Sequence, residues 1–385
     1  MTVRRHYLDY NATAPLRPEV RAAMMSALDI FGNPSSVHHE GRQAKAAIER
    51  ARAQVAALAG CEPSEVLFTS GATESNQTVM SAGWDLIAAS AMEHESVLAA
   101  GVKAQDRKDA RFLEIAAFRD GQASVSDFEL VLPSFERLGH AMSRRLVSVQ
   151  MANGETGVVQ PVERFVESAR EQGYAVHTDA VQAAGRIPVN FASLGVDYMS
   201  LSAHKLGGPK GIGALIVRRG LKPGPLINGG GQETGRRSGT ENVTGIIGFG
   251  VAAECALRDL ADMRRIGMLR DRLETAALAA CDKADAFCRT PRRLPNTTAL
   301  ALPGAKAETL VIAFDLAGIA VSAGSACSSG KAARSHVLRA TNAPDELVES
   351  TFRVSLGWDS SEDDIDAFLN VWSSILKQHE RRAVA

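Results

Sequence analysis

Between Glu65 and Val217 short β-rich runs alternate with longer amphipathic ones, and this alternation limits the fold more than any other feature. Strands are predicted at 65–69, 84–88, 111–116, 145–150, 174–178, 197–202 and 213–217. Helical patterns separate several of them, and two more, at 17–31 and 41–59, come before. Between those two, Gly32-Asn33-Pro34-Ser35-Ser36 has the chemistry of a loop. Strand–helix alternation of this kind builds βα units into a mostly parallel sheet, so the expected fold class is α/β. The pattern then changes. One long helix is predicted over 245–282, then an extended run at 297–301, a helix at 307–316, a strand at 351–355 and a last helix from Glu362. This part reads as a smaller α+β domain.

Composition excludes several function classes. The chain has 385 residues, enough for about two domains. Its 43 Lys+Arg and 44 Asp+Glu give a net charge of -1, no general grip on nucleic acid or on an anionic membrane. The uncharged stretch 316–330 is rich in Gly and Ser and too short to span a bilayer. Arg4 and Arg5 are followed by Asp9 before any apolar run, so no signal peptide is expected. The five cysteines, at 61, 255, 281, 288 and 327, are odd in number and form no CxxC pair. That argues against a disulfide framework and a zinc site, and for a reducing cytoplasm.

Three segments carry candidate chemistry. Ser70-Gly71-Ala72-Thr73-Glu74-Ser75-Asn76 follows a strand and opens a helix, a place where backbone N–H groups bind phosphate well. A simple cap, with Thr73 as N-cap and Asn76 three residues on, explains the same residues without a ligand. Ser202-Ala203-His204-Lys205 ends another strand, and a lysine there can form a Schiff base with a carbonyl cofactor; a solvated surface lysine is the plain alternative. Asp179 ends a third strand. Pyridoxal phosphate needs a lysine for its aldehyde, an acid for its pyridine nitrogen and donors for its phosphate, and all three sit at predicted strand ends.

The order of motifs resembles the cysteine desulfurases of the NifS/IscS type, within the class V aminotransferases of fold type I. The segments that carry the resemblance include Phe31-Gly32-Asn33-Pro34-Ser35-Ser36, the Ser70–Asn76 run, Glu93-His94, Asn153-Gly154-Glu155-Thr156-Gly157 and Asp179-Ala180-Val181-Gln182. It continues through Ser202-Ala203-His204-Lys205, Gly229-Gly230-Gly231-Gln232-Glu233, Arg237-Ser238-Gly239-Thr240-Glu241-Asn242, Gly324-Ser325-Ala326-Cys327-Ser328-Ser329 and Arg353-Val354-Ser355-Leu356-Gly357. It therefore runs almost end to end.

The resemblance implies a large cofactor domain over 15–255, with 1–14 and 256–385 forming the small domain and a mobile cysteine loop at about 322–335. It implies that Lys205 holds pyridoxal phosphate covalently and moves the substrate α-proton. Asp179 would pair with the pyridine nitrogen, Gln182 with the phenolic oxygen, and His94 would stack on the ring. Ala72, Thr73, Ser202 and His204 would bind phosphate, with Thr240 reaching in from a second subunit of a homodimer. Asn153, also near the cofactor, and Arg353 would hold the substrate carboxylate.

Cys327 differs from the other four thiols. The run 322–330 has no bulky side chain, so it can neither bury much area nor hold itself rigid, and an exposed, mobile thiol is expected there. Cys61, Cys255, Cys281 and Cys288 lie on or beside apolar helical patterns and read as space-fillers. The Ser325-Ala326-Cys327-Ser328 motif resembles the type I branch. This implies that L-cysteine is converted to L-alanine, with the sulfur left as a persulfide on Cys327. The sulfur would then pass to an acceptor protein for iron–sulfur cluster assembly or tRNA thiolation. No resident metal is expected; Cys327 is left open as a transient iron–sulfur ligand. Two departures stand out: Gly154, where relatives often have a second Asn, and Leu206-Gly207, where many have an apolar residue and Tyr. A selenocysteine lyase, another class V enzyme and a non-catalytic scaffold are the competing readings.

Overall fold

The computed structural model describes residues 4–136, 143–324 and 335–384. Cys327 and most of its predicted loop lie outside the described residues. A seven-stranded sheet forms the centre. Its strands lie in the order Val66–Thr69, Gly213–Val217, Tyr198–Ser202, Tyr174–Asp179, Arg145–Ser148, Leu86–Ser90, Arg111–Ile115. Gly213–Val217 runs antiparallel to both neighbours; every other pairing is parallel. The expected mostly parallel sheet is therefore present.

The strand sequences show why. Leu86–Ser90, Tyr198–Ser202 and Gly213–Val217 are buried at every position, as a sheet covered by helices on both faces requires. Successive side chains pack on opposite sides. Leu86 and Ala88 join one core with Val55, Phe165 and Phe249. Ile87 and Ala89 join the other with Val79, Trp84 and Val97. Arg111–Ile115, at the sheet edge, is only partly buried, with Arg111 and Glu114 exposed.

A second core gathers around a four-stranded antiparallel sheet, Ser322–Ala323, Thr351–Ser355, Thr297–Ala301 and Asp285–Ala286. Phe314 stacks on Phe368 at 4.8 Å, and Trp372 and Phe352 complete an aromatic cluster. Leu8 from the chain's start is fully buried in this core. It is drawn there by parallel pairing of His6–Tyr7 with Ile319–Ala320.

The predicted helix over 245–282 is corrected. It is two helices, Val243–Arg258 and Met263–Ala279, separated by a 3-10 turn at Asp259–Asp262. Asp259 bonds Arg17 at 2.6 Å and Asp262 bonds Arg265. These tertiary and local ion pairs hold the turn where neither Gly nor Pro marks a break. Thereafter the second helix packs on the small core, with Ile266, Leu269 and Leu273 buried. Among the described residues no helix is long and apolar enough to cross a membrane.

Candidate active site

The parallel strands deliver their carboxyl ends to one edge of the sheet, where open α/β folds gather ligands. Asp179 is the last residue of its strand and is buried. Its Oδ1 accepts the Val181 N–H at 3.0 Å and its Oδ2 accepts Asn76 Nδ2 at 2.9 Å. Asn76 also donates to Ser96 Oγ, while its own Oδ1 is buried with no partner. The plain capping reading of Thr73 does not hold. The N-cap is Gly71, with no side-chain cap bond, and the helix runs Ala72–Met80. Thr73 is exposed in its first turn. A Cβ at Gly71 would meet nothing within 4 Å, so the helix N-terminus, with Ala72 and Thr73, faces open space. Nearby Glu74 accepts the Ser70 N–H and pairs with Arg237 at 3.0 Å.

Ser202 ends its strand, and Ala203–Lys205 form a 3-10 turn directly after it. Lys205 Nζ donates to the carbonyls of Asn11 at 2.5 Å and Ala12 at 2.9 Å. His204 contacts Thr13 Oγ1 at 3.2 Å. Burial, then the cations Lys205, Lys210 and Arg186, pull its imidazole down to about 4. His94 is exposed and caps the Glu95–Asp106 helix, accepting the Ser96 N–H at 3.1 Å. Glu93, beside it, is fully buried; its Oε1 accepts the Gln150 N–H and its Oε2 has no partner. Burial and then the Asp179 charge push its carboxyl well above the usual range, favouring the neutral acid.

Arg353 lies in the Thr351–Ser355 strand and is buried. It donates to Asp9 Oδ1 at 2.7 Å and to the Gly154 carbonyl at 3.1 Å, while its Nε is buried with no partner. Ser322, two residues before Gly324, pairs in register with Arg353. At the far side of the Cys327 segment, Ser335 Oγ donates to Glu155 Oε2 at 2.6 Å, and His336 Nε2 contacts the Glu93 carbonyl at 2.9 Å. The described residues that flank Cys327 therefore leave from Arg353 and return beside His94. Asn153 is buried, and its Oδ1 already accepts the N–H groups of Glu155 and Thr156 at 2.8 and 2.9 Å. Its side-chain oxygen thus shapes the 153–157 loop, and its Nδ2 donates to the Met92 carbonyl at 3.3 Å, leaving one amide hydrogen for a ligand. Thr240 is exposed on a surface loop, away from these strand ends in sequence.

That loop is fixed by an element the sequence does not announce. Arg52 makes a two-pronged pair with Glu233, Nη2–Oε1 2.7 Å and Nη1–Oε2 2.9 Å, and Phe68 N–H donates to the same carboxylate. Glu233 and Thr234 both have left-handed backbones, φ 47° and 56°, a strain this pair holds in place. Removing Glu233 leaves the buried guanidinium with only the exposed Glu49, 3.2 Å from its Nε, and leaves the Phe68 N–H without its acceptor. Glu233→Ala is therefore expected to lower unfolding stability by about 3–5 kcal/mol, measured by urea denaturation.

A pH effect arises from His177, fully buried between Ser148 Oγ at 2.8 Å and Ser200 Oγ at 3.0 Å. Burial lowers its imidazole to about 4. The folded value lies below the unfolded value of about 6.5, so the unfolded chain takes up the proton first. The contribution to stability is whole above about pH 6.5 and is lost as pH falls toward about 4. It amounts to roughly 3 kcal/mol. His177→Asn is expected to flatten the stability–pH curve in that window, read from urea midpoints.

The residues fit pyridoxal phosphate. An acid and a lysine stand at neighbouring strand ends, an open helix N-terminus faces the same edge, and cations surround His204 without an acid among its perturbing groups. Among the described residues, three buried polar atoms of this site, Asn76 Oδ1, Glu93 Oε2 and Arg353 Nε, have no partner.

Three of the other thiols are held above their ordinary range. Burial, with Glu65 and Glu62 adding to it, pushes Cys61 up to about 12. Burial and Asp120 push Cys288 up to about 12, and Cys255 is raised by burial. Asn76 and Glu93 were not assigned roles from sequence. A polar residue at a buried helical position was the available signal for Asn76.

The family model for aminotransferase class V matches residues 6–368. The chain is 40% identical to the cysteine desulfurase IscS of Dictyoglomus turgidum, over 97% of this chain and 95% of that protein. It is 43% identical to a cysteine desulfurase of Klebsiella pneumoniae, over 94% and 90% of the two chains. The crystal structure of a NifS-like protein from Rickettsia africae superposes with a TM-score of 0.88 at 34% identity, covering 97% of this chain and all of the other. Fold and sequence agree: the chain belongs to the class V aminotransferase family, among the cysteine desulfurases of the NifS/IscS type.

Proposed function

We propose that the protein is a type I cysteine desulfurase that takes sulfur from L-cysteine, releases L-alanine and carries the sulfur as a persulfide on Cys327. The observation that carries this reading is the pairing of Ser322 with Arg353, which starts the Cys327 segment beside a buried guanidinium with an unpartnered Nε. A carboxylate binder and the origin of a nucleophile's segment thus share one strand pair.

Lys205, Asp179, Gln182, His94, Ala72, Thr73, Ser202, His204, Asn153 and the partner subunit's Thr240 are the groups that would hold pyridoxal phosphate. When bound, that cofactor supplies an electron sink that labilises bonds at the substrate α-carbon and eases carbon–sulfur cleavage. Asp179, kept in place by Asn76, would pair with the ring nitrogen and favour its protonated form. Arg353, with an Asn153 amide donor, binds the substrate carboxylate as a fork. Lys205 would move the α-proton, with His94 assisting. The Cys327 thiolate attacks the substrate sulfur; a sulfur–sulfur bond forms, the carbon–sulfur bond breaks, and the electron pair stays with carbon, which takes up a proton. An acceptor's thiolate then takes the outer sulfur.

The acceptor is proposed to be a protein of iron–sulfur cluster assembly or tRNA thiolation, and Cys327 to be the one candidate transient cluster ligand. A homodimer is supported by exposed Met25, Leu28, Phe31 and Val37, four large apolar side chains in one short stretch of the chain. A cytoplasmic setting is supported by the four free thiols among the described residues.

The test compares alanine release from L-cysteine and L-selenocysteine, with and without Cys327→Ser. Loss of the L-cysteine reaction alone in the variant supports this reading. Equal rates on L-cysteine in both proteins would favour the lyase reading.

A further inference from the structure

We infer that Arg186 is a positioning residue that fixes the Gln182 amide with its NH2 edge toward the cofactor, an inference that rests on the cofactor reading above. Arg186 is 7% exposed. Its hydrogen bonds both come from Nη1 and both go to one residue: the Gln182 carbonyl at 2.7 Å and Gln182 Oε1 at 2.6 Å. A guanidinium only donates, so the amide atom that faces it must be the oxygen. The NH2 edge is thereby turned the other way, where Nε2 donates to the Asn11 carbonyl at 3.1 Å. Lys205 Nζ donates to that same carbonyl at 2.5 Å. The donor edge of Gln182 and the amine of Lys205 therefore meet on one oxygen atom.

An ion pair does not account for Arg186. Among the described residues, the Arg353 guanidinium and the His204 imidazole bear on it electrostatically, and no acid does. Arg17 and Lys205 line the same small cavity of about 30 Å³. The nearby acids are engaged elsewhere, Asp9 with Arg353 and Asp259 with Arg17. A buried guanidinium without an acid is costly, and here it spends both bonds on one glutamine. Gly154 sharpens the point. A Cβ at that position would stand 3.1 Å from Gln182 Nε2 and act as a second wall for the amide. With glycine there the wall is missing, and Arg186 carries the restraint.

The test is uptake of pyridoxal phosphate by apoprotein, followed by absorbance and by quenching of tryptophan fluorescence. Arg186→Met and Gln182→Leu are each expected to weaken uptake roughly tenfold, the size of one lost charge-assisted or ligand hydrogen bond. Because one residue acts through the other, the double variant is expected to lose roughly tenfold again in total, not roughly a hundredfold. Arg186→Lys, which keeps a donor, is expected to recover part of the affinity. If the Met variant does not fold, Arg186→Gln is read in its place. Wild-type affinity in the Arg186 variant, or a hundredfold loss in the double variant, would overturn the inference. A wild-type protein that takes up no pyridoxal phosphate would instead overturn the cofactor reading beneath it.

Discussion

Replacing Lys205 by alanine is expected to lower alanine release from L-cysteine by at least about 10⁴-fold. The residue ends a short 3-10 turn that follows the Tyr198–Ser202 strand directly, so its amine is delivered to the strand-end edge with little freedom. Two proposed roles would disappear together: the covalent hold on the cofactor and the amine that moves the α-proton. Added methylamine is expected to restore a small part of the rate, because it returns an amine without its tether. Steady-state alanine measurement checks both statements. A Lys205→Ala protein within tenfold of wild type would require another base.

Cys327→Ser is expected to lower L-cysteine turnover about 10³-fold or more while leaving cofactor uptake unchanged. A hydroxyl is far less acidic than a thiol, and only the thiolate attacks sulfur. Three of the other cysteines are poor substitutes. Cys61 and Cys288 are pushed up to about 12 and Cys255 is raised, so few of these thiols ionise near neutral pH. Alkylation with iodoacetamide at neutral pH is accordingly expected to label Cys327 before Cys61, Cys255 or Cys288. Persulfide formation on any of those three would contradict the assignment.

The central sheet was legible because its strands are buried on both faces and read as continuous apolar runs. The Gly213–Val217 strand falls where its sequence places it, whereas Leu86–Ser90 begins two residues later than expected. Trp84 was read into that strand; its indole instead donates to the Val79 carbonyl below the sheet, at 2.7 Å. The long helix was misread because its break is made by ion pairs to Arg17 and Arg265 rather than by a helix-breaking residue. Lys205 and Asp179 were legible because strand ends carry them. Asn76, Glu93 and Arg186 were not, since their parts depend on contacts far along the chain or on burial. Asn76 meets Asp179 from another element, and Glu93 matters through a carboxyl held above its usual range. The two departures also acquire physical content. Gly154 opens space beside Gln182, and Gly207, at φ 82°, lets Arg17 pack where a Cβ would come within 2.7 Å of its Cγ.

The most direct measurement of the central claim is mass spectrometry of the Cys327 peptide after incubation with L-cysteine, with alanine measured in the same sample. The account predicts one added sulfur on Cys327, removable by dithiothreitol, with alanine formed before the reductant is added. Alanine released steadily with Cys327 unmodified, or an added sulfur confined to another cysteine, would contradict it.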